Sequence, residues 1–154
     1  MHMRKAFKVA TQTAVVSALL LGGAVAGSDP AGEWAWKYRV LVVFAPDGED
    51  AALLDQREQL AGLDREIAER HMSVIEVVSG EATTLQGAKL DISGSDMVRY
   101  VRKQNAQFEV LLLGKDTGIK LRSFVPVTAN EIFSLIDTMP MRRQEMRAGR
   151  AQES

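Results

Sequence analysis

Val40, Leu41, Val42, Val43 and Phe44 form an unbroken apolar run, opened by Arg39 and closed by the turn signal Pro46-Asp47-Gly48. A run of this length, rich in β-branched side chains, predicts a strand buried on both faces, because a half-exposed strand alternates instead. Beyond the turn, Leu53, Leu60 and Ile67 recur at seven-residue spacing with Leu54, Ala61 and Ala68 beside them. That stripe predicts one long helix from Asp50 to the neighbourhood of Arg70. Gly62 lies inside it and should cost about 1 kcal/mol relative to Ala. A second strand, Val74-Ile75-Glu76-Val77-Val78, follows. Strand, helix, strand at this length predicts a βαβ unit with parallel strands.

Residues 79–92 are polar and carry no clear period, so they read as irregular. Ser93 or Ser95 can cap a shorter helix that turns Met97, Val98 and Val101 inward. Residues 108–113 are a third apolar strand, and the turn from Gly114 to Gly118 predicts a hairpin into residues 119–122. In that last strand Lys120 and Arg122 alternate with Ile119 and Leu121, which suits an edge with one wet face. Thr128 and Glu131 have capping-box spacing ahead of a helix that buries Ile132, Leu135, Ile136 and Met139. Pro140 should end that helix, and the chain from Met141 reads as a polar, basic tail. Trp34, Trp36 and Tyr38 alternate with other residues, suggesting an extended stretch with one packed face. The order β-α-β, α, β-β-α predicts an α/β fold. It is a thioredoxin-like sandwich with a four-stranded mixed sheet and helices on both faces.

The beginning of the chain has a different character. Arg4, Lys5 and Lys8 precede a short apolar stretch, residues 9–21, and the small residues Ala24, Val25 and Ala26 precede a polar segment. This is the layout of a secretory signal peptide, with an apolar part too short and interrupted for a comfortable membrane span. We expect cleavage after Ala26, export to the periplasm or beyond, and no stable membrane anchor. The expected organisation is a signal peptide over 1–26, a mobile leader over 27–35, one domain over 36–147 and a soft tail over 148–154.

Composition then removes functions. The three charges in the signal segment are all basic, so their loss takes the net charge from −1 to −4. That balance argues against a nucleic-acid partner. Cys is absent and His occurs twice, at His2 and His71, so only His71 stays with the exported chain. The missing thiols exclude disulfide chemistry and Cys-ligated metals, and a lone His cannot build a multi-His site. No Gly-rich phosphate loop is present, and no metal or cofactor is expected.

Trp36, the stretch from Arg39 to Pro46, Leu112 to Asp116, Lys120 to Arg122 and the block from Met139 to Met146 together carry a resemblance. They resemble a domain-of-unknown-function family of secreted bacterial proteins, related to domains in animal secreted proteins of the sushi-repeat and coiled-coil-domain type. The resemblance covers nearly the whole exported chain. It implies a thioredoxin-like, peroxiredoxin-like fold and brings no established activity or catalytic residues.

Candidate chemistry is sparse. Asp47, Glu49 and Asp50 stand where a thioredoxin-like protein places its reactive Cys. They suit capping of the following helix, and they lack the spacing of a calcium loop. His71 reads as a helix-end residue bonded to the last carbonyls. Trp34, Trp36 and Tyr38 are expected to pack, although such a strip can stack on a ligand, and Met139, Met141 and Met146 can cover an adaptable partner surface. Lys115, Lys120 and Arg122, with Arg142 and Arg143, are segregated positive charges in an acidic chain, hence the candidate anion site; Arg suits oxyanions through its planar fork. The expected function is an exported, non-catalytic binding module, its partner an anionic ligand, a glycan or another exported protein. The alternative is an enzyme or redox accessory that uses the basic hairpin residues or a cofactor the sequence does not reveal.

Overall fold

The computed structural model describes residues 29–102 and 107–152. Residues 1–26, expected to be a signal peptide, lie outside the described residues. Strands β1 (Arg39–Ala45), β2 (Met72–Val78), β3 (Glu81–Gly87), β4 (Glu109–Leu113) and β5 (Ile119–Ser123) form one sheet in the order β3-β2-β1-β4-β5. β1 runs parallel to β2, and the other three neighbouring pairs are antiparallel.

β1 is buried along its whole length, and residue parity explains why. Leu41, Val43 and Ala45 face one core with Leu53, Leu60, Ile67, Ile132 and Ile136. Val40, Val42 and Phe44 face a second core with Trp34, Met97 and Val101. Alternate side chains of a strand point to opposite faces, so a strand covered on both sides must be apolar throughout. The first core is supplied by helices α2 (Ala51–Leu60), α3 (Asp64–Glu69) and α5 (Ala129–Thr138), the second by α1 (Ala31–Trp34) and α4 (Gly94–Val101). Helices therefore cover both faces, as expected.

The sheet has five strands, not four. The extra one, β3, lies where the sequence pattern reads as irregular. Ser79 and Gly80 both have positive φ, 51° and 84°, the requirement of a tight hairpin turn. As an edge strand β3 alternates between half-buried and exposed positions, so it needs no apolar run.

The expected long helix is two helices. Gly62 at φ 74° takes a left-handed conformation that ends α2 and redirects the chain into α3. Asp50 caps α2, its Oδ1 accepting from the Leu53 N–H at 3.0 Å, and Asp47 Oδ1 accepts from the Glu49 N–H. Ser93 caps α4, and Thr128 and Glu131 form the expected capping box on α5.

Two expectations near the ends change. The segment containing Trp34 is helical rather than extended. Trp34 is wholly buried and meets Tyr100 edge-to-face at 5.4 Å. Trp36 sits 68% exposed with φ 64°, so it shares no packed face with Trp34. Pro140 does end α5, but it also opens a further helix, α6 (Pro140–Gln152), in place of a loose tail. Proline suits a first helical position because its missing N–H would have had no intrahelical acceptor there. Among the described residues, no helix is long and apolar enough to cross a membrane.

Candidate functional site

One end of the sheet gathers the polar chemistry. Arg39 opens β1 opposite Met72 at the start of β2, while Val40 pairs with Leu113 at the end of β4. The β4–β5 turn, the residue before β2 and the α5–α6 junction therefore meet at the same edge.

Arg39 is only 1% exposed. Its Nη1 donates to the Arg70 carbonyl at 2.7 Å and to Glu145 Oε2 at 3.1 Å, and its Nη2 donates to Glu145 Oε1 at 3.3 Å. Its Nε is buried without an acceptor. Lys115, 7% exposed, places Nζ 2.8 Å from Glu145 Oε1 and 2.8 Å from His71 Nδ1. Two nearly buried cations thus share one carboxylate. Burial opposes ionisation of Glu145, but hydrogen bonds from Lys115 and Arg39 and their charges outweigh it and hold the carboxyl below its ordinary value. His71 is pushed down by burial first and then by the charge of Lys115, partly offset by Glu145, so the imidazole stays neutral and accepts from Lys115.

α6 is fastened by a second set of charges. Arg142, almost fully buried, donates from Nη2 to Glu69 Oε1 and from Nη1 to the Glu69 carbonyl, both at 2.9 Å, and from Nε to Asp137 Oδ1 at 3.1 Å. Arg70 holds the other Asp137 oxygen at 2.8 Å.

Two recesses flank this cluster. One is a cavity of 270 Å³ lined by the cations Arg39, Lys115 and Lys120 and by Met139, Pro140 and Met141. Asp116 and Thr138 add polar atoms to its wall. The other, of 790 Å³, is lined by Arg65, Glu69, His71, Arg142 and Glu145 among others. The Arg39–Lys115–Glu145 cluster contributes to both walls. Among the described residues, no group of three or more His, Asp or Glu is placed to hold a metal ion. The arrangement sets two nearly buried cations against a single carboxylate beside the smaller recess.

Residues 31–145 match the family described as a domain of unknown function, DUF4174. The chain belongs to that family. The matched span of this DUF4174 chain runs from the first residue of α1 to Glu145 itself. The chain is also 30% identical over 128 residues to coiled-coil domain-containing protein 80 of Danio rerio; the match takes in 72% of this chain and 15% of that protein. It thus spans a small part of that curated relative's length. No solved structure matches the chain.

The five basic residues singled out from sequence are distributed unequally. Lys115 and Lys120 line the cavity, and Lys120 is held by Asp116 at 2.7 Å. Arg142 lines the second recess, and Arg143 is exposed on α6. Arg122 joins neither. It pairs with Glu109, fully buried at the far end of β4. A bulge explains the parting of Lys120 and Arg122: Leu112 pairs with Leu121 but Leu113 with Ile119, leaving Lys120 as the extra residue. Sequence reasoning missed Arg39 and Glu145. An Arg directly abutting a doubly buried strand was the available signal for the first, since such a charge needs a partner. His71, expected at helix-end carbonyls, directs its ring to Lys115 instead, although its backbone N–H does bond the Ala68 carbonyl at 2.9 Å.

Proposed function

We propose that this DUF4174 domain is an exported, non-catalytic binding module that takes an anion in the cavity lined by Arg39, Lys115 and Lys120. The observation that carries this is the sharing of one carboxylate, Glu145, by two nearly buried cations at the cavity wall. Buried cations are costly unless fully paired, so an arriving anion gains from charge already desolvated. The absence of Cys supports a non-catalytic role, since no thiolate is available for redox work. The parallel β1–β2 pair beside the β4–β5 hairpin supports a thioredoxin-like scaffold. The basic start, short apolar stretch and small residues of the first 26 positions support export; intact-mass measurement finding Gly27 as the first residue of the secreted protein tests it.

The binding experiment is calorimetric titration of the secreted chain with small anions at low and high salt. Binding that weakens as salt rises, and that is lost in Lys120→Ala, is the expected outcome. Lys120 is the variant of choice because its side chain is 32% exposed and its pairing with Asp116 is a surface one, so its removal leaves the fold in place. Absence of binding by every anion tried would overturn the proposal.

A further inference from the structure

The cavity also restricts which anion it takes; this step rests on the anion-binding reading and adds the ligand class. Its charges can be counted. Arg39, Lys115 and Lys120 are the cations at the wall, and the carboxylates that pair with them are Glu145 and Asp116. The excess is a single positive charge. One monoanion balances it, whereas a polyanion would bring net negative charge against groups that are already largely desolvated. Phosphate dianions, sulfated glycans and nucleic acid fit this count poorly.

The rest of the wall is apolar. Met139, Pro140 and Met141 line the cavity, and methionine side chains adapt to the shape of a hydrocarbon or aromatic body. Pro140 and Met141 also begin α6, a helix of 13 residues, whose first N–H groups have no intrahelical acceptor and whose dipole favours negative charge at this end. Independently of the helix, Arg39, which lines the cavity and is 1% exposed, has a buried Nε with no acceptor. The volume, 270 Å³, lies just below the range of about 300–1,000 Å³ common for drug-sized ligands, so the occupant is compact.

We propose that the cavity binds a compact monocarboxylate with an apolar body, its carboxylate beside Lys120 and Arg39 and its body against Met139, Pro140 and Met141. A buried methylene is worth about fourfold in affinity, so affinity should climb with chain length until the cavity is full.

The test is calorimetric titration of the secreted chain with acetate, hexanoate, phenylacetate, 1-hexanol, inorganic phosphate and a sulfated oligosaccharide. Hexanoate or phenylacetate should bind one per chain, at least tenfold more tightly than acetate and more tightly than phosphate. Hexanol should not bind. Lys120→Ala should weaken hexanoate at least tenfold, and Arg143→Ala, at an exposed position outside the cavity, should leave it unchanged. Phosphate or the sulfated oligosaccharide outbinding hexanoate, with loss in Lys120→Ala, would overturn the ligand class while keeping the anion site. Hexanol binding as well as hexanoate would overturn the role of charge, and no binding by any anion would overturn both proposals.

Discussion

Glu145 and Arg39 stand 106 positions apart and meet through two hydrogen bonds, Nη1 to Oε2 at 3.1 Å and Nη2 to Oε1 at 3.3 Å. The pair ties the last helix to the first strand, and Lys115 completes it from the β4–β5 turn. Removing the carboxylate in Glu145→Ala leaves two nearly buried cations uncompensated. The expected cost is on the order of 3 kcal/mol, read as a lower urea midpoint with an unchanged m-value. Because the vacated position faces the same cations, added acetate should restore more stability to this variant than to the parent chain. Equal acetate responses would show that the cluster is closed to external anions.

Arg142 makes the complementary prediction for α6. It is the one residue of that helix that is buried, and it holds Glu69 and Asp137 together. Arg142→Ala should loosen α6 while the sheet stays intact. Amide exchange over residues 143–152 should then speed up by at least tenfold, with β1 and β4 protected as before. Uniform loss of protection across the sheet would show instead that α6 is part of one cooperative unit with the core.

The parts of this fold legible in the sequence are those whose burial is two-sided or whose caps are local. β1, β2 and β4 announce themselves through their concentration of apolar, largely β-branched or Leu residues, despite Glu76 and Glu109, and Thr128 with Glu131 marks the start of α5 within four residues. β3 escapes because an edge strand is satisfied by backbone pairing with β2 and by half-buried residues such as Ala82 and Thr84. α6 escapes because ion pairs through Arg142 and Glu145, rather than an apolar stripe, hold it down. The same reason hides half the candidate site. Lys115 and Lys120 are visible as a charged turn, but no local pattern joins Arg39 to Glu145.

Trp34 tests whether the residues ahead of β1 belong to the folded unit. Its indole is fully buried against the second core and Tyr100. Trp34→Ala should cost about 3–5 kcal/mol, comparable to losing a central core residue. A loss below about 1 kcal/mol in chemical denaturation would mean the segment packs without contributing, as a mobile leader would.

Gly87 and Gly62 share a positive φ but should differ in consequence. A Cβ at Gly87 would lie 2.0 Å from the Met72 carbonyl oxygen, whereas at Gly62 nothing stands within 4 Å. Gly62→Ala should therefore cost only the left-handed backbone penalty, about 1–2 kcal/mol. Gly87→Ala must also push β3 away from β2, so its cost should be clearly larger. Equal denaturation midpoints for the two variants would contradict the close approach of the strands.

The pH dependence of stability should fall in two steps, and the sign follows from the directions of the shifts. His71 has its pKa lowered from 6.5 by burial, then by Lys115, with Arg39 and Arg142 adding to the effect and Glu145 opposing it. Above that ordinary value both folded and unfolded chains carry a neutral imidazole, and His71 contributes no slope. As pH falls below about 6.5 the unfolded chain takes the proton first, so stability declines until the pH passes the folded value. Glu145 and Asp137 are held below 4.5 and 3.8; in each, burial opposes the shift and hydrogen bonds from Lys115 and Arg39, or from Arg70 and Arg142, prevail. Their contribution is intact above those ordinary values and is lost as pH falls through the folded ones. Both steps therefore run toward acid. His71→Asn should erase the upper step and leave the lower one, since Asn tolerates the φ of 45° at this position. Urea denaturation of both proteins from pH 2 to pH 8 reads both steps, the lower one lying below the ordinary values of 4.5 and 3.8. Parallel curves over the whole range would show that folding does not lower the pKa of His71.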